Sequence, residues 1–214
     1  MQYKSIILVD GENLVFRYQD MLKSGRTPID GVVHIKDTFV WHPKFLSVYG
    51  QRDIVRVSYY TTVVGDEKKF EEIQNSISES EYSITSLTGI DLVGTLVPHI
   101  FKKKRNGAKT KSVDINLTID ALRYAYGDSI DQIIIMSGDG DYVPLLREVM
   151  ARGKMVQTYA FSSGLNKYIK YNVDDLMVID DEFFKPEATV KSKAKVKTKS
   201  KSRVKRKVKR RTKT

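Results

Sequence analysis

Residues Ser137-Gly138-Asp139-Gly140-Asp141 set two carboxylates on a glycine-hinged turn directly after the apolar run Ile133-Ile134-Ile135-Met136. A helical segment, Tyr142 to Met150, follows. Apolar run, acidic turn and helix mark the edge of an open parallel α/β sheet at which such folds bind ligands. The start of the chain repeats the order, with Ile6-Ile7-Leu8-Val9 running into Asp10-Gly11-Glu12-Asn13. A third acid, Asp114, opens another helix behind a basic loop. Gathered at one sheet edge, Asp10, Asp114, Asp139 and Asp141 would make an all-oxygen site for Mg²⁺ or Mn²⁺. Such ions keep positions open for water and substrate phosphate. They can activate water and neutralise the leaving oxygen in phosphodiester hydrolysis.

Each of these acids also has an ordinary role, because Asp caps helices and favours turns. Two acids within Gly138–Asp141 exceed what one cap needs, and the glycines allow close backbone approach to a ligand. Asn13 fits either a helix-start cap or a hydrogen bond to bound water or phosphate. Glu12 and Asp120 stand behind the main set. Asp120 lies six residues beyond Asp114, about 240° around an ideal helix, which favours a satisfied polar group within that helix. For substrate, the basic run Lys102-Lys103-Lys104-Arg105 with Lys109 and Lys111 leads directly into Asp114. Phosphate neutralisation dominates nucleic-acid affinity, so these six are the expected nucleic-acid contacts. Lys167, Tyr168 and Lys170 are a second candidate rim. Tyr142 fits either base stacking or core packing.

The elements that must position these residues alternate. Strands are expected at Ser5–Val9, Asp53–Val63, Leu92–Phe101, Gln132–Met136 and Lys154–Ala160, with a last short apolar segment at Leu176–Ile179. Short continuous apolar runs suit strands buried on both faces. Helices are expected at Asn13–Lys23 (on the spacing of Leu14, Phe16, Tyr18, Met21 and Leu22), Asp66–Glu81, Val113–Tyr126, Tyr142–Met150 and Leu165–Tyr171. Residues 28–50 carry a weaker helical pattern over Asp37–Tyr49, interrupted by Pro43. Pro98 points to an edge or irregular position. The alternation favours a doubly wound α/β domain with a mostly parallel sheet.

The chain divides by charge. Of its 37 Lys and Arg, 14 fall between Lys191 and Thr214, where there are no acids, leaving 23 against all 26 acids in the rest. The expected organisation is a near-neutral domain at 1–184 and a disordered Lys/Arg-rich tail at 185–214, a composition that cannot bury a core. No apolar stretch approaches ~18 residues, so no membrane span is expected. No signal-peptide layout precedes Asp10. The lack of cysteine, with only His34, His42 and His99, excludes disulfides and thiolate sites and disfavours histidine-rich zinc sites. A cytoplasmic location is expected, or nuclear in a eukaryotic source. A homo-oligomer is left open.

Val9-Asp10-Gly11-Glu12-Asn13 resembles the V-D-G-x-N opening of the NYN domain, a branch of the PIN-like nuclease superfamily. Lys111-Ser112-Val113-Asp114 is similar to its K-G-V-D element, with Ser112 where glycine is usual and Asp120 near the second helix acid. Ser137-Gly138-Asp139-Gly140-Asp141-Tyr142 looks like its S-G-D-x-D-[FY] element, followed by Pro144-Leu145 and Gly153-Lys154. The resemblance covers about residues 4–184 and is strongest to the LabA-like subgroup. It implies a PIN-like three-layer α/β/α sandwich and metal-dependent ribonuclease chemistry. Carried over by position, Asp10, Asp114, Asp139 and Asp141 become the metal-binding acids, and Asn13 sits beside the ion or one step behind it.

The leading expectation is therefore an Mg²⁺- or Mn²⁺-dependent ribonuclease leaving a 5′-phosphate and a 3′-hydroxyl, with the tail tethering it to nucleic acid. DNA remains open as substrate. The alternative is a catalytically weak RNA- or DNA-binding regulatory module that keeps the acids. A small-molecule phosphohydrolase is disfavoured. The Asp10 turn has Glu12 two residues on and lacks the Thr or Val with which an aspartyl-phosphate motif continues.

Overall fold

A computed structural model describes residues 3–46, 53–85, 91–102 and 112–186. Among these residues a six-stranded sheet is flanked on both faces by helices. In chain order its elements are β1 (Lys4–Asp10), α1 (Gly11–Lys23), β2 (Val33–Ile35), β3 (Phe39–Trp41), β4 (Asp53–Val63), α2 (Glu67–Ser78), β5 (Glu81–Thr85) and β6 (Asp91–Thr95). These are followed by β7 (Val97–Lys102), α3 (Ser112–Tyr126), β8 (Gln132–Met136), α4 (Val143–Ala151), β9 (Met155–Ala160) and β10 (Asp175–Val178). The sheet order is β10-β9-β8-β1-β4-β7, and every neighbouring pair is parallel.

The apolar runs become the central strands because both their faces are covered. On β1, Ile7 and Val9 pack towards α1 and α2, while Ile6 and Leu8 pack towards α3 and α4. β8 divides in the same way, with Ile134 and Met136 on the first side and Ile133 and Ile135 on the second. This is the parallel α/β domain that the alternation of elements predicts, in the three-layer α/β/α form that the family resemblance implies. No helix among the described residues is long and apolar enough to cross a membrane.

The structure departs from the sequence pattern in three places. Asp37–Tyr49 is not an α-helix where it is described; its only helical residues there are Phe45 and Leu46, in a 3₁₀ turn. β2 and β3 form an antiparallel hairpin, with Asp37 in its turn at φ +60°. Phe39, Val40 and Trp41 are wholly buried, and Trp41 Nε1 donates to the Glu81 carbonyl at 2.9 Å. Consecutive β-branched and aromatic residues favour that pleated, packed conformation over a helix. The expected strand Leu92–Phe101 is two strands. β6 pairs with β5 in a separate hairpin, and β7, carrying Pro98, is the edge of the main sheet. The buried Leu96 separates them. Leu165–Tyr171 contains only one 3₁₀ turn, at Ile169–Tyr171.

Gly11 is the tightest joint in this framework. A Cβ there would meet the Tyr59 ring and stand 2.7 Å from the Tyr60 carbonyl oxygen. Tyr59 cannot withdraw, because its ring is fully buried and its hydroxyl is hydrogen-bonded to Val40. Gly11→Ala is expected to destabilise the protein by about 3 kcal/mol, as overpacking against fixed atoms does. Urea unfolding of the two proteins measures it.

Candidate functional site

β1 and β8 lie side by side in parallel, with Val9 opposite Met136. The residues that leave their C-terminal ends, Asp10 and Ser137, are therefore neighbours although 127 positions apart. Ser137 Oγ donates to Asp10 Oδ2 at 2.9 Å, and the Asn13 amide donates to Oδ1 at 3.0 Å as the cap of α1. The Asn13 side chain crosses between the strands, its Oδ1 accepting from the Gly138 amide at 3.1 Å. Asp139 caps the next turn, receiving the Asp141 amide on Oδ1 at 3.0 Å. From α3, Asp114 Oδ1 accepts from the Tyr142 hydroxyl at 3.2 Å. Three distant segments are thus tied into one edge of the sheet.

That edge holds a cleft of about 440 Å³ lined on its polar side by Asp10, Glu12, Asn13, Arg17, Gln19, Asp37, Asp114 and Asp139. Asp10 is 3% exposed. Burial raises its pKa from 3.8 to about 7, against the pull of the Asn13 and Ser137 hydrogen bonds and helped by the charges of Asp114 and Glu12. The Asp114 pKa is also raised, by burial first and then by repulsion from Asp139, Glu12 and Asp141, while Tyr142 pulls it down. Burial keeps the Tyr142 phenol protonated, as its role as donor to Asp114 requires. Glu12 accepts from Thr62 Oγ1. The cleft is a concentration of negative charge in which ionisation is costly.

The candidates from the sequence separate into groups. Asp10, Asp114 and Asp139 share the cleft with Glu12 and Asn13. Asp141 does not line it, and it adds repulsion on Asp114 from the rim. Asp120 is elsewhere, with its Oδ2 accepting from Tyr60 at 2.7 Å and its Oδ1 from Arg123 at 2.9 Å, beside Arg56 and His99. Tyr142 is 4% exposed and offers no face to a base; the core-packing role holds. Its apolar ring goes into the α3–α4 core, and its hydroxyl is spent on Asp114. Lys102 pairs with Glu67 and lies 5.3 Å from the Phe70 ring centre. Lys103, Lys104, Arg105, Lys109 and Lys111 lie outside the described residues. Lys167, Tyr168 and Lys170 do not line the cleft. Their loop nevertheless abuts the acidic turn, with the Asn166 amide donating to the Gly138 carbonyl at 3.0 Å. Gly138 and Gly140 make their close approaches to Leu165 and Asn166 of that loop.

The donor set suits a hard cation in chemistry, being carboxylate and amide oxygen throughout. Among the described residues no three His, Cys, Asp or Glu are grouped closely enough to hold a metal ion. An ion here would be held by one or two carboxylates and completed by water and phosphate, the usual manner of Mg²⁺. Five cleft residues were not singled out from the sequence as site candidates: Val15, Phe16, Arg17, Gln19 and Asp37. Phe16, counted there only in a helical apolar spacing, is 55% exposed, and Arg17 beside it also lines the cleft. Helical phase alone could have flagged them, since both follow Asn13 by about one turn.

The NYN domain matches residues 4–183. An uncharacterized protein of Methanocaldococcus jannaschii is 26% identical over 83 residues, 39% of this chain; the chain spans about a third (35%) of that relative's length. A solved structure of a protein of unknown function from Vibrio parahaemolyticus is similar with a TM-score of 0.53 at 21% identity. The likeness covers 86% of this chain and 96% of that one and bears on the fold alone.

The raised Asp10 pKa has a thermodynamic sign opposite to that of a salt-bridged carboxylate. The unfolded chain ionises first, near 3.8, so the folded state loses stability as pH rises from there to about 7 and none beyond. The cost is on the order of 4 kcal/mol. Asp10→Asn is therefore expected to raise the melting temperature at pH 8 in EDTA, by roughly 5–15 °C. The difference should vanish near pH 4. Thermal melts across pH with and without Mn²⁺ check this, and added Mn²⁺ should stabilise only the wild type.

Proposed function

The chain belongs to the NYN domain family, a PIN-like nuclease family, and from that premise we propose that it is a metal-dependent ribonuclease of the LabA-like kind. The observation that supports this reading most is the cleft in which Asp10, Glu12, Asp114 and Asp139 meet at the sheet edge, with Asp10 buried and ionising near pH 7. Carboxylates brought to one cleft repel one another, as the raised Asp114 pKa reflects, and a divalent cation would relieve that repulsion.

Asp10 and Asp114, with Asp139 in the same cleft, are the residues that would hold Mg²⁺ or Mn²⁺; the ion would activate water and neutralise the leaving oxygen. The chain's own residues do the positioning. Asn13 and Ser137 fix the Asp10 carboxylate by one hydrogen bond to each oxygen, leaving a lone pair on each for another partner. Asn13 also locks the Gly138 turn to α1, so that Asp139 keeps its place relative to Asp10. Tyr142 aims Asp114 from the core side. Asp141 adjusts the field at the rim and has the weakest claim to direct contact. Domain limits at 1–184 and 185–214 belong to the same proposal, with the basic tail raising the local concentration of RNA without sequence readout.

One observation favours a second reading. Both oxygens of Asp10 already accept protein donors, and the described acids are not grouped closely enough to hold a metal. A nucleic-acid-binding regulatory module with little turnover would have such a site.

Labelled RNA incubated with Mn²⁺, Mg²⁺ or EDTA decides between them. Cleavage is expected only with metal, and Asp10→Asn and Asp139→Asn are each expected to reduce it at least a hundredfold. Tight binding without cleavage, unchanged by either substitution, would establish the regulatory module instead. Deletion of 186–214 is expected to weaken RNA binding and flatten its salt dependence while leaving cleavage of a short oligonucleotide within about threefold. Loss of that cleavage would refute the tether.

A further inference from the structure

Asn13, Phe16 and Arg17 share one face of α1, being spaced by three and four residues. Asn13 is bonded to the acidic turn, and all three line the cleft. A ring as large as that of Phe16 is normally buried, yet this one is 55% exposed. Cations flank it, with the Arg17 guanidinium carbon 5.2 Å and Lys23 Nζ 5.9 Å from the ring centre. Arg17 is the basic side chain among the residues that line the cleft. Its Nε is buried without a hydrogen-bond partner among the described residues, and its ion pair with Asp20 is long, at 3.7 Å. Gly164, at φ +67°, backs the guanidinium, and a Cβ there would collide with it. The chain has made room for an arginine that its own acids leave under-used.

An open aromatic face beside an unsaturated guanidinium matches the two parts of a nucleotide, a base with π faces and an anionic phosphate. We propose that Phe16 and Arg17 form a subsite for one unpaired nucleotide of the substrate strand, the base lying on Phe16 and a backbone phosphate on Arg17. The inference rests on the ribonuclease reading and assigns the wall of the cleft that would receive an unstacked base. A base within a duplex has both faces covered by its neighbours, and only an unstacked base can lie on a side chain. Electrostatics favours such a contact, because a polyanion entering a cleft of carboxylates meets repulsion that a cation at its wall offsets. Phe16 and Arg17 lie six and seven residues beyond the Asp10 cap, nearly two turns or roughly 9–10 Å along α1, and line the same cleft as the acids.

The test is binding of short labelled RNA to the full chain by fluorescence anisotropy, in EDTA so that no cleavage intervenes. Raised salt suppresses the contacts of the tail. Phe16→Ala is expected to weaken single-strand binding about tenfold, within the range for loss of one stacked base, and to leave binding of a blunt duplex unchanged. Phe16→Trp should retain the affinity, and Arg17→Ala should lower it and reduce the salt slope by about one. The melting temperature of Phe16→Ala should match the wild type, because the ring is exposed. Unchanged single-strand affinity in Phe16→Ala overturns the subsite. Adenosine monophosphate should compete only weakly; if it binds more tightly than the strand, the site serves a free nucleotide and the assignment to substrate falls. A wild type that cleaves RNA alongside a Phe16→Ala protein that binds and cleaves equally well overturns the subsite alone. A wild type that does not cleave, but whose single-strand binding falls in Phe16→Ala, overturns the ribonuclease reading and leaves the subsite standing.

Discussion

A carboxylate buried at the end of a central strand is the constraint on which the site turns. Asp10 caps α1 through the Asn13 amide and accepts from Ser137, so it serves as structure at the junction of β1 and its helix. Yet it is held among Asp114 and Glu12, and burial lifts its pKa to about 7. A cap alone needs none of that company, since an exposed Asp at a helix start stabilises the helix without any desolvation cost. Asp66, which caps α2 by accepting from the Lys69 amide in an exposed position, is the control within the same molecule. The contrast between the two caps is the physical case for a role beyond capping at Asp10.

The remainder of the fold holds that carboxylate in place. Parallel pairing of β1 with β8 brings the two acidic turns together, and α3, packed across the same face, carries Asp114 to them. Asn13 and Tyr142 act as struts between elements remote in sequence. Gly11 admits α1 close against β4, setting the angle at which the helix leaves the cleft.

Much of this could be read from residue types. The uninterrupted runs Ile6–Val9 and Ile133–Met136 announce strands covered on both sides, and the acids at their ends mark the binding edge. Residues whose state depends on distant partners were less legible. Phe39-Val40-Trp41 could join a helix or a strand by local pattern, and in the fold all three are buried in a hairpin, with Trp41 also bonded to the Glu81 carbonyl. Phe16 and Tyr142 exchange the roles that their neighbourhoods suggest. Phe16 sits in an apolar helical spacing yet faces water, whereas Tyr142 follows two acids yet is buried in the α3–α4 core. Asp120 shows the strength of phase as a guide. Its angle from Asp114 placed it off the site, and it bonds Tyr60 and Arg123 instead.

A cleft rich in carboxylates and a polyanionic substrate are compatible only through cations, whether bound ions, Arg17 or the separate basic tail. The bound ion is the component on which the proposed chemistry depends. Crystals soaked in Mn²⁺ and measured at a wavelength sensitive to its anomalous scattering locate it without reliance on turnover. The expected result is a difference peak within coordination distance of Asp10 and Asp114, close to Asp139. A cleft without a peak at saturating Mn²⁺, or a peak only at acids outside it, would contradict metal-dependent hydrolysis at this site.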